Sequence, residues 1–461
     1  MRRLIVPALA VLATLAACKQ PAVVSEAETP AMADAGTAPA QATPSDKDNL
    51  VDPVLVTPEK EPEPVPVEIA LTTMEPVEQL AHGNNLFAWS LYDTLSDKAG
   101  NVFVSPASVS GAFALLYPGA AGDTATQMAG LFGYDAVAAD IFPAAQYTLD
   151  RAVISDSDAA KLTIANAVWL REGSALQAPY RHAVEDRMKA KVALVDFTKP
   201  AAAASLINGW VEDHTNDRIH DLIPPSAIKP GLTELILTNA VWFKADWASP
   251  FKAESTYDGA FYAPTGEITA KLMNQTLKKA RYLARDGYAA LDLDYAGGDY
   301  ALTVILPDAQ DGLGAVEAAM TPDSFTTLLS DMDAAAEKRV HVVLPKVKIE
   351  ADYNLNDAMA ALGLGDAFTP KADFSGVIEG AGPGDLMISQ VLHKTFLEID
   401  EKGTEAAAAT AIIMERTAIF IPDEEPVEFR ADHPFLIALR HKPTGEVMFI
   451  GRVEAPPEAE E

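Results

Sequence analysis

Ser105, Ser108, Asn239 and His393 are the residues of this chain that most invite a catalytic reading. They offer hydroxyls to attack, an imidazole to take the proton and an amide to orient it. A hydrolase of the elbow type would need Gly-x-Ser-x-Gly, and that pattern is absent. Cys-x-x-Cys, His-Glu-x-x-His and the phosphate-binding P-loop are absent too. The 8 histidines show no metal-ligand spacing, so neither a metal nor another cofactor is expected, and no enzymatic activity. A histidine, an asparagine and two serine hydroxyls can instead satisfy one another, holding buried elements together without needing a charge.

The stretch Asp400-Glu401-Lys402-Gly403-Thr404-Glu405-Ala406-Ala407-Ala408-Ala409-Thr410 has a different potential. Consecutive alanines have the highest helix propensity available. Yet Gly403 precedes them, and Ala411-Ile412-Ile413-Met414 suits a strand better. As a strand the stretch has two alternating faces. Thr404, Ala406, Ala408, Thr410 and Ile412 form one, uncharged and mostly small; Glu405, Ala407, Ala409, Ala411 and Ile413 form the other. No proline occurs from Gly403 to Ile421, so every amide there can join a sheet ladder. An exposed helix, a loop and an insertable strand all remain open for this segment taken alone.

The rest of the chain bounds the possibilities. It has 461 residues, with 66 Asp and Glu against 35 Lys and Arg. That acidity makes it a poor binder of nucleic acid, whose phosphates need a basic surface. A single cysteine, Cys18, excludes an internal disulfide. Arg2 and Arg3 precede an apolar run from Leu4 to Ala13, too short to span a bilayer comfortably. Leu15-Ala16-Ala17-Cys18 then resembles a bacterial lipobox, which implies a signal peptide over 1–18 and a lipid on Cys18. A cysteine so used cannot serve in thiol catalysis. Several acyl chains on one residue would anchor the chain firmly at the cell envelope, and by resemblance Lys19 leans toward the outer membrane. Residues 19–72 are rich in Ala, Pro, Glu and Thr and hold no aromatic side chain. Such a segment buries too little apolar surface to order itself, and reads as a linker.

Folded sequence is expected over 73–455, followed by an acidic tail at 456–461. Leu80, Leu86, Phe87, Leu91 and Leu95 have helical spacing. Asn101-Val102-Phe103-Val104-Ser105-Pro106-Ala107-Ser108 reads as a short buried strand turning into a helix, with Pro106 suited to its start. Ile164-Ala165-Asn166-Ala167-Val168-Trp169-Leu170 and Leu235 to Lys244, continuing to Trp247, are near-repeats and read as two strands of one sheet. Val391 to Asp400 is a strand running into the ambiguous stretch, and the strands His433–Arg440 and Glu446–Val453 form a hairpin around Pro443-Thr444-Gly445.

Taken together, these motifs resemble the serpins, suicide inhibitors of proteases. The match runs in order from about Asn84 to Ala455. Its most specific pieces are Asn239-Ala240 with Phe243-Lys244 and Trp247, the hinge Glu401 to Thr410, and the C-terminal hairpin. The resemblance implies an α+β fold: one domain of three β-sheets and eight or nine helices with an exposed reactive loop. It places Ser105, Ser108, Asn239 and His393 beneath the central sheet where strands must part. By the same resemblance, Ile207 to Val211 and Thr215 to Ile219 belong to a helix crossing that sheet. It places Trp247, Lys346 and Glu401 at the top of that sheet, where insertion begins and where Glu401 can pair with Lys346.

The implied partner is a serine protease, and a monomer is expected, touching a membrane through its lipid alone. The protease attacks a bond in the loop and forms an acyl-enzyme; the freed segment inserts as a new strand, with Thr404 the first side chain to turn inward. Counting fourteen residues from Gly403 gives Thr417-Ala418 as the reactive bond, which suits an elastase-like or subtilisin-like protease. Arg416-Thr417 is the alternative and would suit a trypsin-like one. A non-inhibitory carrier or chaperone of the same fold is the other reading, although Thr404 argues against it.

Overall fold

The computed structural model of the chain describes residues 70–404 and 425–459, with side chains from residue 75 onward. Helix α1 (Ala70–Ser96) opens the fold and takes in the last three residues of the expected linker, 70–72. It buries Leu80, Phe87, Leu91 and Tyr92. Strand β1 (Val102–Val104) leads to helix α2 (Pro106–Ala114), all of whose residues are buried. Ser105 caps α2, accepting from the Ser108 amide, and Pro106 takes the first turn, where a missing N–H costs nothing. Helices α3 (Gly122–Phe132) and α4 (Phe142–Val153) follow.

Next come β2 (Ser155–Asp156), β3 (Ala160–Arg171), the short α5 (Ala178–Arg181), β4 (Val192–Val195) and α6 (Pro200–His214). Here one expectation is corrected: Thr215 to Ile219 is not helical. Asn216 and Asp217 take left-handed backbone angles, φ 52° and 56°, which end α6 at His214. Then follow β5 (Leu235–Asp246), β6 (Tyr257–Ala263), β7 (Gly266–Arg285), β8 (Tyr288–Asp294), β9 (Tyr300–Pro307), α7 (Leu313–Ala319) and α8 (Pro322–Ala334). The chain continues through β10 (Glu337–Pro345), β11 (Val347–Asn354), α9 (Asn356–Met359), β12 (Gln390–Ile399) and β13 (Gly403–Thr404). It closes with β14 (Val427–Arg430), β15 (Phe435–His441) and β16 (Glu446–Val453).

The central sheet has the order β11-β12-β13-β5-β3-β2, with β4 on the side of β3. The near-repeats are neighbours in it: β3 and β5 run antiparallel, with Asn166 opposite Asn239. The other strands run β1-β16-β15-β9-β8-β7-β10-β14, with β6 on β7. Strand β7 belongs to two sheets. Its Leu272 to Arg281 portion pairs with β10, and Tyr282 to Arg285 pairs with β8, which makes three sheets in all. Pro345 ends β10, and the next strand, β11, joins the central sheet instead. The C-terminal residues do not extend freely: Glu458 bridges Ala270, and the Ala459 amide donates to Thr269 O at 2.9 Å. Helix α6 covers the central sheet through a separate apolar cluster that includes Ile207, Val211, Trp169, Ile236 and Leu392.

Candidate functional site at the seam of the central sheet

Strands β5 and β12 run parallel and paired from Ile236–Gln390 to Val241–Thr395. Beyond that point they part, and the wedge between them holds β13. Gly403 lies opposite Asp246, and Thr404 lies between Ala245 of β5 and Ile399 of β12. Within the ambiguous stretch, Gly403 and Thr404 are therefore strand, not helix. Gly403 is required there by steric contact alone. A Cβ on it would come within 2.0 Å of the Ala245 carbonyl oxygen.

Thr404 needs no loop insertion to turn inward. It is already 1% exposed, and its Oγ1 is 2.6 Å from the Tyr295 hydroxyl. Tyr295 was not singled out from sequence. Its ring stacks on Trp247 with centroids 4.4 Å apart, and burial pushes its hydroxyl pKa well up, so it stays a donor. Glu405, Ala406, Ala407, Ala408, Ala409 and Thr410, the bonds around Arg416, Thr417 and Ala418, and Cys18 all lie outside the described residues.

The top of the seam gathers Trp247, Lys346 and Glu401. The Trp247 indole donates to Asp400 O at 2.9 Å. The Trp247 amide donates to Lys402 O, and the Phe251 amide to Glu401 O, each at 2.7 Å. Lys346 Nζ lies 2.7 Å from Glu401 Oε2, while Thr256 donates to the other carboxylate oxygen at 2.8 Å. Partial burial pushes the Glu401 pKa up, but the bonds from Lys346 and Thr256 outweigh it and hold the carboxyl below its usual range.

The four polar residues first considered for catalysis meet lower in the same seam, under β5 and β12. The Ser105 amide donates to His393 Nε2 at 3.0 Å. That bond leaves the hydrogen on Nδ1, which faces Asn239 Oδ1. Asn239 donates onward to Ser108 Oγ at 2.6 Å, and the Ser105 hydroxyl donates to Met448 O at 2.6 Å. Burial depresses the His393 pKa to about 3, so the ring is neutral and the network carries no charge. Both serine hydroxyls and the imidazole are engaged with partners inside the protein, so no nucleophile is presented to solvent.

A fifth member escaped the sequence reading. Asn166 of β3 accepts from Asn239 at 2.6 Å and from Ser108 at 3.1 Å, and donates to Ser108 O at 2.9 Å. The signal was present: Asn166-Ala167-Val168-Trp169 repeats Asn239-Ala240-Val241-Trp242 residue for residue. Two antiparallel copies of that motif place their asparagines side by side. Among the described residues no cluster of three or more His, Cys, Asp or Glu gathers in a way that could hold a metal.

Three sheets, a parallel seam over a neutral polar network and the short strand β13 wedged into the top of that seam define the class of fold. A model of the family Serpin (serine protease inhibitor) matches residues 82–456, and the chain belongs to the serpin family. It is 36% identical to the leukocyte elastase inhibitor of Bos taurus over 391 residues, 82% of this chain and 100% of that one. Among solved structures it resembles Serpin48 of the insect Tenebrio molitor, with a TM-score of 0.73 and 27% identity over 82% of this chain and 98% of that one. Human thyroxine-binding globulin is similar as well, with a TM-score of 0.72 and 26% identity over 84% and 100% of the two chains.

Proposed function

We propose that this chain is a serine protease inhibitor that traps its target by strand insertion, tethered to the cell envelope through a lipid on Cys18. The observation that carries this reading is the hinge. Gly403 and Thr404 already sit as a strand in the wedge between β5 and β12. The residues after them supply a small uncharged face and no proline before Pro422, so the ladder can lengthen along β5. The protease serine attacks the Thr417 carbonyl, the Ala418 amine leaves, and an ester joins Thr417 to the enzyme. Insertion of the segment from Gly403 to Thr417, about 46 Å when extended, then carries the protease away and distorts its oxyanion site, so deacylation stalls. The native state is held by a kinetic barrier.

A small residue at position 417 and the name of the bovine relative both support an elastase-like target; Arg416 would suit a trypsin-like one. Mixing the protein with elastase-like, subtilisin-like and trypsin-like proteases should yield an SDS-stable complex and a released C-terminal fragment beginning at Ala418, or at Thr417 for a trypsin-like enzyme. Cleavage without any complex would favour a carrier or chaperone role. Cys18→Ser should move the protein from the detergent phase to the aqueous phase while leaving inhibition intact. Retention of the variant in the membrane fraction would overturn the anchor.

A further inference from the structure

Three buried side-chain oxygens among the described residues have no hydrogen-bond partner: Asn84 Oδ1, Gln146 Oε1 and Glu446 Oε2. They belong to one polar region. Asn84 of α1 donates its amide to Glu446 Oε1 at 2.6 Å, and Gln146 of α4 donates to Asp150 at 2.8 Å. Asp150 is close enough for its charge to act on Glu446, the first residue of β16. Glu446 is 2% exposed. As a carboxylate it would be a buried charge with one donor and no cation, an arrangement that is costly in a protein interior.

No neighbouring element supplies that cation. Helix α1 offers Asn84 and Asn85, and Asn85 Oδ1 already accepts from the Val447 amide. Helix α4 offers Gln146 and Asp150, which adds negative charge. Strand β15 places His441 opposite Glu446, with its Nδ1 engaged by Thr444, and burial keeps that ring neutral by pulling its pKa down to about 4. Helix α2 and strand β1 carry no titratable side chain. The nearby arginines are committed elsewhere, Arg440 to Asp292 and Asp333, Arg452 to Glu317 and Glu454.

One proton on Oε2 resolves two of the three orphans. A carboxyl O–H is a donor, and Asn84 Oδ1 is an unused acceptor on the amide that already binds Oε1. We propose that Glu446 is a proton-binding site of the native protein: it is held as an uncharged carboxylic acid whose Oε2–H donates to Asn84 Oδ1, closing a reciprocal acid–amide pair that ties α1 to β16. The same strand carries Met448, whose carbonyl accepts from Ser105 of the polar network, so the pair supports the strand on which that network rests.

The pH dependence has a definite sign. Burial, together with the Asp150 charge, raises the Glu446 pKa from 4.5 to about 8. The stabilisation is therefore complete below 4.5, declines as pH rises toward about 8, and is gone beyond it. Glu446→Gln tests this, because glutamine preserves both hydrogen bonds to Asn84 and cannot ionise. Thermal unfolding of the full chain is followed for both proteins across that range. The variant's midpoint should rise relative to the parent as pH increases from 4.5 to about 8, then stay level. A gap independent of pH overturns the proposal. Infrared spectra of the parent need no variant: a protonated-carboxyl stretch should be present at neutral pH and vanish above about 8, and its absence at neutral pH also overturns it. A midpoint that calcium or potassium raises in the parent but not in Glu446→Gln would assign the orphan oxygens to a cation and overturn it as well.

Discussion

The lower and upper ends of the β5–β12 seam are held by different chemistry. The lower end is a neutral network of buried Ser105, Ser108, Asn239 and His393 with the half-buried Asn166, in which donors and acceptors match with no net charge. The upper end combines an ion pair, Lys346–Glu401, with an aromatic stack and a buried threonine. Lys346 keeps 40% of its side chain exposed, so much of that pair's attraction is screened. The strands are closed where the chemistry is neutral, and parted where it includes a partly exposed ion pair. The proposed strand insertion requires the sheet to be weakest at the end where insertion begins, and the contrast matches that requirement.

The largest test acts on the upper end. Thr404→Arg would bury an unpaired cation wherever the hinge is seated, at a cost of roughly 3–5 kcal/mol. The hinge should leave the wedge while the reactive bond proposed at Thr417–Ala418 is unaltered. Gels at rising inhibitor-to-protease ratio should show cleaved protein and little stable complex; efficient trapping would mean that insertion at Thr404 does not drive inhibition. Asn239→Ala acts on the lower end. It strips partners from His393, Ser108 and Asn166, and leaving such groups unsatisfied costs roughly 1–3 kcal/mol each. Its denaturation midpoint should fall clearly, and its spontaneous loss of inhibitory activity on storage should accelerate. An unchanged midpoint would show that the network does not hold the seam.

A pH shift probes the lower end more gently. His393 takes up a proton near 6.5 when unfolded but only near 3 in the native protein. Its contribution is full above 6.5 and is lost as pH falls toward 3, by roughly 2 kcal/mol at pH 5. Because Glu446 and Asp150 titrate with the opposite sign, the measurement is the difference between the parent and His393→Leu, which should narrow on acidification. A constant difference would mean that the imidazole is not held neutral. The smallest effect is expected from Lys346→Ala, below about 1 kcal/mol for a half-exposed pair. It should show as a modest rise in the rate of loop insertion. A loss as large as that of Asn239→Ala would erase the contrast between the two ends.

Much of this molecule was legible in the chain. Periodicity in α1, the Ser-Pro start of α2, the two near-repeat strands and the C-terminal hairpin each rest on local patterning, and each occurs where the pattern places it. Two things were missed for physical reasons. Tyr295 follows a strand as an ordinary apolar residue, and only packing brings its hydroxyl to Thr404. Asn166 was quoted as part of a strand, but its role depends on the register of that strand against β5. The end of α6 turned on backbone angles at Asn216 and Asp217, which composition does not specify.

By itself the sequence determined the family and, in order, those elements that carry a local pattern, because hydrophobic period, turn residues and short motifs act over a few residues. It also determined that the hinge can be a strand: glycine, threonine and small alanines carry that capacity in their size. Only the tertiary structure decided that Gly403 and Thr404 are already seated, since this depends on how far β5 and β12 diverge. It likewise decided the burial that moves the pKa of His393 down toward 3 and that of Glu446 up toward 8. Burial is a property of the whole packed chain, and no stretch of residues contains it.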